Sequence, residues 1–504
     1  MKPKQKKYLL LLVKEEKPEN KNDVFTSFLD FTLFLRNRPD KTKTWSNIMN
    51  NVIEFINSCQ ENGGTVYRIE KLQDAENIHP VLLVSHQLDL TGAPVALMNM
   101  AEMLKKMGYD PVVASPADGP LAQQIQMPVI VYPSICKDDL VSDAAYMFEL
   151  IVCNTVENSE LVNRLNGKET PVLWWIHEAD GAYTQKRKSL MPYHLFPNIT
   201  VLAGGFWAKK MLLNHFPHYH VNELLYAVPD LTDQIKNKSV LPKTSDGITT
   251  FALIGTLLSR KGQDVLLNAI DLLSESVLEK CRFVFVGQNA DQRYGTLVCK
   301  AVEGKPGKVL YYPQIDRDDI PDLYQQIDCL ICASRDDPMP LVVTEACQFS
   351  KLIICSDCTG SASLLKKQDA GFVFENENAE QLAGLIGYVV ENRSSLDDLK
   401  IRARELYETY FAQEVFYEKL HDIFNQISKR KVSNNQNTYE ILRKQEDRIQ
   451  ELQRESYFYQ EMNIETQRTA EYATYKVNEI ENAFFWRISM PMRKLIDKFK
   501  KSKQ

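Results

Sequence analysis

Two carboxylates stand eight positions apart, at Asp337 and Glu345, in the segment SRDDPMPLVVTEA. The segment follows the apolar run DCLICAS, and its prolines at 338 and 340 hold φ near about −65° and remove two backbone donors. The turn should therefore be stiff, and a helix should begin close to Leu341. Ionised carboxylates accept hydrogen bonds and donate none, which suits the hydroxyl groups of a sugar.

The start of this helix also predicts an anion site. The first amides, on Leu341, Val342 and Val343, would point at an incoming diphosphate, and the helix dipole adds roughly half a positive charge there. Asp337 would lie at the mouth of the site and Glu345 deeper, where they could bind two sets of hydroxyls. The pattern indicates a nucleotide-sugar site; the alternative is that both acids merely decorate a surface helix.

Two series of short apolar runs must position this segment. The first series is HPVLLVSH (79–86), DPVVAS (110–115), ELIVCNT (149–155), PVLWWIH (171–177) and TVLAGG (200–205). The second series is TTFALIG (249–255), RFVFVG (282–287), KVLYYPQ (308–314), DCLICAS (328–334) and LIICSD (352–357). Amphipathic helices between the runs predict an α/β protein with two Rossmann-like domains, 80–235 and 245–430. The domains should face each other across a cleft, with ligands at the carboxyl ends of the strands.

The acidic segment resembles the acid-x7-acid motif of family 4 glycosyltransferases, which are retaining enzymes of the GT-B fold. The resemblance implies that Glu345 holds the ribose hydroxyls of the nucleotide. It also implies that Asp337 and the main chain around Met339, Pro340 and Leu341 meet the sugar and its phosphates. The family usually has Glu at the first position, so Asp337 is a departure. The side chain of Asp is shorter than that of Glu, and the neighbouring Asp336 is an alternative residue for the contact that the Glu of the family makes.

Two further motifs of this family match in the first domain. The loop SHQLDLTGAP carries Thr91 and Gly92 before a helix, where the family has a small-residue loop close to the donor phosphate and the acceptor. His177 ends the run PVLWWIH, and the matching His in the family lies near the transferred sugar. Taken without the resemblance, the loop is an ordinary strand-to-helix turn and His177 a structural or solvent-exposed residue.

In the second domain, Gly255 ends a strand, and Arg260 and Lys261 follow before a Gly and an amphipathic helix. Two cations there would clamp a diphosphate. The family has Arg where this chain has Thr256, so Arg260 is expected to compensate.

Two more positions of the second domain are singled out by the family pattern. The amides of Gly360 and Ser361 are candidate phosphate contacts, although Ser363 stands where many members carry Glu. Ile315 matches a position where the main chain of the family meets the base.

The reaction implied by the resemblance is retaining transfer of a sugar from a nucleotide diphosphate, with no protein nucleophile, metal or other cofactor. Two alternatives stay open: an epimerase- or phosphorylase-like enzyme, and a catalytically silent scaffold subunit that binds a partner through 438–484. A zinc quartet made of two Cys-x2-Cys pairs is disfavoured. The first pair lies on the run DCLICAS, and residues three apart on a strand face opposite sides of the sheet.

Composition excludes several classes of protein. The chain has 504 residues, 44% of them hydrophobic and 25% charged, and its net charge of −6 argues against a general nucleic-acid binder. No apolar run approaches about 18 residues, and YLLLLV is too short for the core of a signal peptide. Ten scattered cysteines fit reduced thiols, so the expected location is the cytoplasm.

The terminal regions carry separate expectations. Residues 1–79 should be an elaboration packed on the first domain, and heptad-like spacing in 438–484 predicts a long helix or coiled coil that could form a homo-oligomer. In 484–504, seven cations from Arg487 onward stand against Asp497 and give a net charge of +6, next to Phe484, Phe485 and Trp486. This tail predicts peripheral binding to an anionic inner membrane surface and a lipid-linked saccharide acceptor in surface-polysaccharide synthesis; the alternative is a solvated basic tail.

Overall fold

The computed structural model describes residues 45–69 and 79–429, together with scattered helical positions between 444 and 476. Two separate sheets organise these residues, one of eight strands and one of six. The α/β class and the two Rossmann-like domains predicted from the sequence are confirmed.

The first domain is built around the eight-stranded sheet. Its elements are α1 (Trp45–Glu61), β1 (Thr65–Tyr67), β2 (Pro80–Val84), α2 (Gly92–Lys106), β3 (Asp110–Ser115), α3 (Pro120–Gln124), β4 (Val129–Val131), α4 (Leu140–Ala144), β5 (Leu150–Asn154), α5 (Ser159–Leu165), β6 (Val172–Ile176), α6 (Gln185–Lys188), β7 (Ile199–Ala203), α7 (Phe206–His215) and β8 (Val221–Glu223). The strand order is β1-β4-β3-β2-β5-β6-β7-β8, and all pairs except β1–β4 are parallel.

The second domain is a fully parallel six-stranded sheet. Its elements are β9 (Thr249–Ile254), α8 (Gln263–Asp271), α9 (Glu275–Leu278), β10 (Cys281–Val286), α10 (Gln292–Gly304), β11 (Val309–Tyr312), α11 (Ile320–Gln325), β12 (Cys329–Cys332), α12 (Leu341–Gln348), β13 (Leu352–Ser356), α13 (Gly360–Gln368), β14 (Phe372–Phe374), α14 (Ala379–Asn392), α15 (Asp397–Tyr410) and α16 (Gln413–Lys429). The strand order is β11-β10-β9-β12-β13-β14.

Both sheets reverse their strand order beside their first parallel strand, β2 in one and β9 in the other. The inner strands of these sheets are covered on both faces, which explains why they are continuously apolar rather than alternating. The crevices at the two reversals lie outside the carboxyl ends of the strands, where ligands of such sheets bind.

The described part of the N-terminal region packs on the first domain. Strand β1 pairs antiparallel with β4, and Thr65 lies opposite Val131. Helix α1 buries Val52, Phe55 and Ile56, and the Phe55 ring meets Phe148 edge-on at 5.6 Å. Residues 1–44 and 70–78 lie outside the described residues.

The last helix of the predicted second domain crosses back to the first domain. In α16, Phe416 lies 6.0 Å from Trp175 between ring centroids, and Phe424 lies 5.2 Å from Tyr109. Ahead of this crossing, Phe411 accepts a backbone hydrogen bond from the amide of Val228 at 3.0 Å. One continuous buried core therefore joins the two domains beneath the cleft.

Beyond residue 429 the structure describes helical residues only in parts of 444–476, and several of them expose large apolar side chains. They include Leu452 at 47%, Phe458 at 59% and Tyr459 at 64% exposure. The expected oligomer through 438–484 stays a prediction, and the basic tail 484–504 lies outside the described residues. None of the helices in the described part of the chain is long and apolar enough to cross a membrane.

Candidate active site

A cavity of about 290 Å³ lies between the two domains at the carboxyl ends of their strands. Its lining comprises Gly92, Ala93, His177, Ala179, Gly204, Tyr226, Arg260, Asp337, Pro338, Met339 and Leu341. Six of the residues singled out in the sequence therefore line one space: Gly92, His177, Arg260, Asp337, Met339 and Leu341.

Asp337 stands at the centre of a cluster of charges on the wall of the cavity. Its Oδ2 lies 2.6 Å from Nζ of Lys261 and 3.4 Å from Nη1 of Arg260. The Arg260 guanidinium also donates to the carbonyl of Asp336 at 3.0 Å and remains 45% exposed. The structure thus places Arg260 in the cavity despite Thr256 at the usual Arg position of the family.

Arg335, which sequence reasoning missed, holds the turn that carries these cations. Its guanidinium makes two hydrogen bonds of 2.9 Å to the carboxylate of Asp264 and one of 2.6 Å to the carbonyl of Ser259. Gly262 has φ +68°, and a Cβ there would lie 2.0 Å from the carbonyl oxygen of Ala333. Only glycine fits this position, so the cations are held by a tightly packed turn.

Backbone hydrogen bonds with Cys358 and with Gly360 at the start of α13 fix the turn that carries Asp337. The amide of Gly360 donates to the carbonyl of Asp337 at 2.9 Å, and the amide of Asp337 donates to Cys358 at 3.2 Å. A Cβ at position 360 would lie 1.7 Å from the carbonyl oxygen of Pro338. The Gly360 amide is therefore bonded within the turn, and the expected phosphate contact by this amide stays a prediction.

Helix α12 begins at Leu341, as the two prolines predict. The expectation of three free amides needs one correction, since the amide of Val343 donates to the carbonyl of Pro340 at 3.1 Å in a tight first turn. The N–H groups of Leu341 and Val342 remain as candidates for binding an anion. Pro340 itself precedes the helix and does not line the cavity.

Glu345 lies behind this helix start and is partly buried. The hydroxyl of Tyr324 donates to its Oε2 at 2.8 Å, and burial raises the pKa of the Glu345 carboxyl. Tyr324 stacks on Phe349 at 5.1 Å, so its ring is held in place. Sequence reasoning missed Tyr324, because a tyrosine in a buried helix gives no sign of a carboxylate partner 21 positions away.

His177 forms the first-domain wall of the cavity. Its ring lies 4.4 Å from Trp175, and a Cβ at Gly204 would stand 2.5 Å from its Nδ1, so the ring is held on both sides. Burial, and to a smaller extent the neighbouring His86, lowers the pKa of His177 to about 3. Its Nε2 is buried without a hydrogen-bond partner in the described part of the chain. A neutral imidazole therefore faces the cavity.

The small-residue loop of the first domain reaches the second domain across the cavity. A Cβ at Gly92 would lie 3.8 Å from Cδ1 of Leu341. Asp89 accepts from the amide and the hydroxyl of Thr91, so Thr91 supports the loop outside the cavity lining. Asn154 donates to the carbonyl of Ala93 at 2.8 Å and ties the loop to β5.

Three other candidates lie beside the cavity rather than in it. Gly255 has φ +151°, and a Cβ there would lie 3.6 Å from the Lys261 side chain, so this glycine makes room for the lysine. Ile315 follows β11 and packs, half-buried, on the core. Asp336 accepts from the indole of Trp207 at 2.8 Å, which links the two domains, and it does not line the cavity.

The arrangement suits an anion that also carries hydroxyl groups. Two cations and the start of α12 provide positive potential, and Asp337 and Glu345 provide acceptors on either side of it. Within 45–69 and 79–429, no three His, Cys, Asp or Glu side chains gather as a metal-binding group.

Two family models match the chain in succession. Residues 78–211 match glycosyl-transferase family 4, and residues 217–406 match glycosyl transferases group 1. The two matches correspond to the first and second domains described above. Together they include every candidate residue of the cavity.

Curated relatives match over shorter stretches. The chain is 25% identical over 154 residues to mannosylfructose-phosphate synthase of Agrobacterium fabrum, covering 29% of this chain and 33% of that protein. It is 24% identical over 170 residues to an uncharacterized glycosyltransferase of Haemophilus influenzae, covering 34% of this chain and 47% of that protein. The chain thus spans between a third and about half of the length of these two relatives.

Solved structures show the same fold. HepE of Anabaena in complex with UDP matches with a TM-score of 0.59 at 16% identity, covering 69% of this chain and 100% of that one. Sucrose-phosphate synthase of Thermosynechococcus elongatus matches with a TM-score of 0.58 at 14% identity, covering 69% and 99%. At such identities the likeness shows the shared architecture of two facing domains.

Proposed function

Because this chain belongs to the family 4 glycosyltransferases, which have the GT-B fold, we propose that it transfers a sugar from a nucleotide diphosphate to a saccharide acceptor. One observation carries the proposal. Lys261 and Arg260 converge on Asp337 at the start of α12, on the wall of a cavity between the two domains.

The donor diphosphate lies against the two cations and the free amides of α12. Negative charge grows on the leaving diphosphate as the glycosidic bond breaks, and preorganised cations and helix dipoles stabilise such charge most strongly in a water-poor site. Lys261 is 19% exposed, which supports this role. The complexes of Anabaena HepE with UDP and with UDP-glucose support a nucleotide-sugar donor.

The nucleoside occupies the second domain. Glu345 accepts one hydrogen bond from Tyr324 and keeps carboxylate lone pairs for the two ribose hydroxyls. Asp337 accepts hydroxyls of the transferred sugar once the diphosphate has engaged Lys261. The main chain near Ile315 contacts the base.

The acceptor enters from the first domain, past Gly92 and His177. Transfer proceeds with retention at the anomeric carbon, because the acceptor hydroxyl attacks on the side of the leaving group and the departing phosphate takes its proton. No protein nucleophile and no metal are needed. The neutral imidazole of His177 exchanges a hydrogen bond with a sugar hydroxyl in the cavity.

The acceptor is a lipid-linked saccharide in the synthesis of a cell-surface polysaccharide. Support comes from the +6 tail beside Phe484, Phe485 and Trp486, which suits peripheral adsorption on an anionic inner membrane surface. The exposed apolar positions near Leu452 and Tyr459 are consistent with self-association through 438–484.

A donor panel tests the proposal. The purified full chain is titrated calorimetrically with nucleotide diphosphate sugars, and release of nucleotide diphosphate is then followed with a saccharide acceptor. Lys261→Ala should lower transfer at least about 100-fold, since one preorganised charge contact is lost.

Lys300→Ala is the matched control, because Lys300 is an exposed lysine on α10 of the same domain. It should leave the rate unchanged. Absence of donor binding to the parent protein would instead favour a catalytically silent scaffold. Product NMR decides retention, because an inverted anomeric configuration excludes the front-face route.

A further inference from the structure

We infer that the acceptor sugar that enters the cavity is uncharged, so that a neutral sugar unit rather than a sugar phosphate receives the transferred residue. The inference rests on the proposed function and specifies its acceptor class. It depends on how the first domain distributes charge around its side of the cavity.

The first-domain wall carries no charge. It consists of Gly92, Ala93, His177, Ala179, Gly204 and Tyr226, and the only charged residues of the cavity lining, Arg260 and Asp337, come from the second domain. Both of these already form one cluster with Lys261 on the donor side. A phosphate on the acceptor would thus meet no counter-ion on the wall that receives it, and desolvating an unpaired anion is unfavourable.

The first-domain cations around this wall have other partners. Arg187, whose charge reaches His86, forms an ion pair with Glu157 and donates to the carbonyl of Ala182 at 3.1 Å. On α7, Lys209 lies 3.2 Å from Glu223, and Lys210 stands over the Trp207 ring at 5.0 Å. Neither of these lysines nor Arg187 lines the cavity.

Acidic groups adjoin the same wall. Asp89 lies in the loop before Gly92 and is held by Thr91 and Gln87. Glu178 follows His177 and accepts backbone hydrogen bonds from His177 at 2.9 Å and from Val156 at 3.1 Å. The Asp89 carboxylate lies in the loop that follows β2, so its field repels an anionic acceptor and leaves a neutral one unaffected. Burial raises the pKa of Glu178 to about 7, so this group contributes less negative charge.

The polar atoms that remain unpaired suit hydroxyl groups. Nε2 of His177 and Nδ1 of the neighbouring His86 are both buried without a hydrogen-bond partner in the part of the chain that the structure describes, and of the two rings only that of His177 lines the cavity. Each is at the carboxyl end of its strand, and a neutral imidazole nitrogen either donates to or accepts from a hydroxyl. Burial disfavours the charged form of both rings, so neither supplies a cation for a phosphate.

Pairs of sugars that differ only in a phosphate test the inference. The full chain with its best-bound donor is offered glucose or glucose 6-phosphate, and fructose or fructose 6-phosphate, and products are measured by mass spectrometry. The neutral member of each pair should be glycosylated at least about tenfold faster. Faster transfer to the phosphorylated members would overturn the inference, and so would donor binding without transfer to any neutral sugar. Failure to bind any donor would overturn the proposed function itself.

A variant provides the converse test. Ala179→Arg places a cation on the first-domain wall, and it should raise the rate with the phosphorylated member relative to the neutral member at least about fivefold. Ser276→Arg adds the same charge at an exposed position of α9, far from the wall, and should leave the ratio unchanged. Donor affinity, measured by calorimetry, reports whether each variant is folded. Equal ratios in Ala179→Arg and Ser276→Arg would contradict the inference.

Discussion

Asp337→Asn should strengthen the binding of the free nucleotide diphosphate, although Asp337 belongs to the donor site. In the ligand-free cleft its carboxylate neutralises Lys261 at 2.6 Å and lies 3.4 Å from Arg260. An incoming diphosphate must therefore compete with Asp337 for the same cations. Asparagine keeps the shape of the side chain and removes this competition.

The burial of the pair sets the size of the effect. The side chains of Asp337 and Lys261 are only 9% and 19% exposed, so solvent screens their attraction weakly. A hydrogen bond between such charged groups contributes about 1.5–3 kcal/mol, and about 1.4 kcal/mol corresponds to tenfold in affinity. We expect Asp337→Asn to bind the free nucleotide diphosphate about tenfold more tightly.

The nucleotide sugar should gain less than the free diphosphate. Asparagine accepts fewer hydrogen bonds from sugar hydroxyls than a carboxylate does, so part of the gain is offset when the sugar is present. Asp337→Asn should therefore lower the affinity for the nucleotide sugar relative to the affinity for the free nucleotide diphosphate, and transfer should slow. Without ligand its melting temperature should fall, because two partly buried cations lose their partner.

Isothermal titration of both variants with the nucleotide diphosphate and the nucleotide sugar measures these affinities. Asp271→Asn is the matched control, since Asp271 pairs with Lys305 at 2.5 Å but is 65% exposed. It should change neither affinity. If Asp337→Asn binds the free diphosphate with unchanged or lower affinity, Asp337 does not compete for Lys261 and the reasoning is refuted.

Three further perturbations test other parts of the molecule. Tyr324→Phe removes a 2.8 Å hydrogen bond to Glu345 and should weaken nucleotide binding about fivefold in the same titration. Unchanged affinity would show that Glu345 does not bind the ribose. Burial raises the pKa of Glu178 from 4.5 to about 7, so the folded protein retains a proton that the unfolded chain releases, and stability is lost as pH rises through this window. The melting temperature of Glu178→Gln should therefore rise relative to that of the parent as the pH increases from about 5 to about 7.5. A difference in melting temperature that stays constant over this range would contradict the prediction. Deleting 484–504 should abolish sedimentation with anionic vesicles at low salt and leave donor binding unchanged. Equal sedimentation of the full chain and the truncated chain would show that the tail does not bind the membrane.

The strands of both sheets could be predicted because parallel strands covered by helices must be apolar throughout. Four strands lie outside the two predicted series, because β1, β4, β8 and β14 have only three residues each and give too short an apolar run. In β8 the residues Asn222 and Glu223 are exposed at the edge of the sheet, so they carry no apolar signal.

The candidate site was predictable where chemistry lies in neighbouring residues and unpredictable where it depends on distant bonds. Asp337, Lys261 and His177 follow strands, and strand ends meet at the same edge of a sheet. The bonds that engage the amides of Gly360 and Val343 arise from turn geometry. The support of the cation turn by Arg335 depends on Asp264, which lies 71 positions away.

Because α16 packs on the first domain, the first domain can finish folding only after the second domain has been synthesised. Phe416 and Phe424 cover Trp175 and Tyr109, so the first domain lacks part of its apolar cover until residue 429 has been synthesised. A fragment cut at about residue 240 would leave these aromatic rings open to water and prone to aggregation. The halves of this molecule are therefore not interchangeable modules, and chimaeras with related chains should exchange α16 together with the first domain.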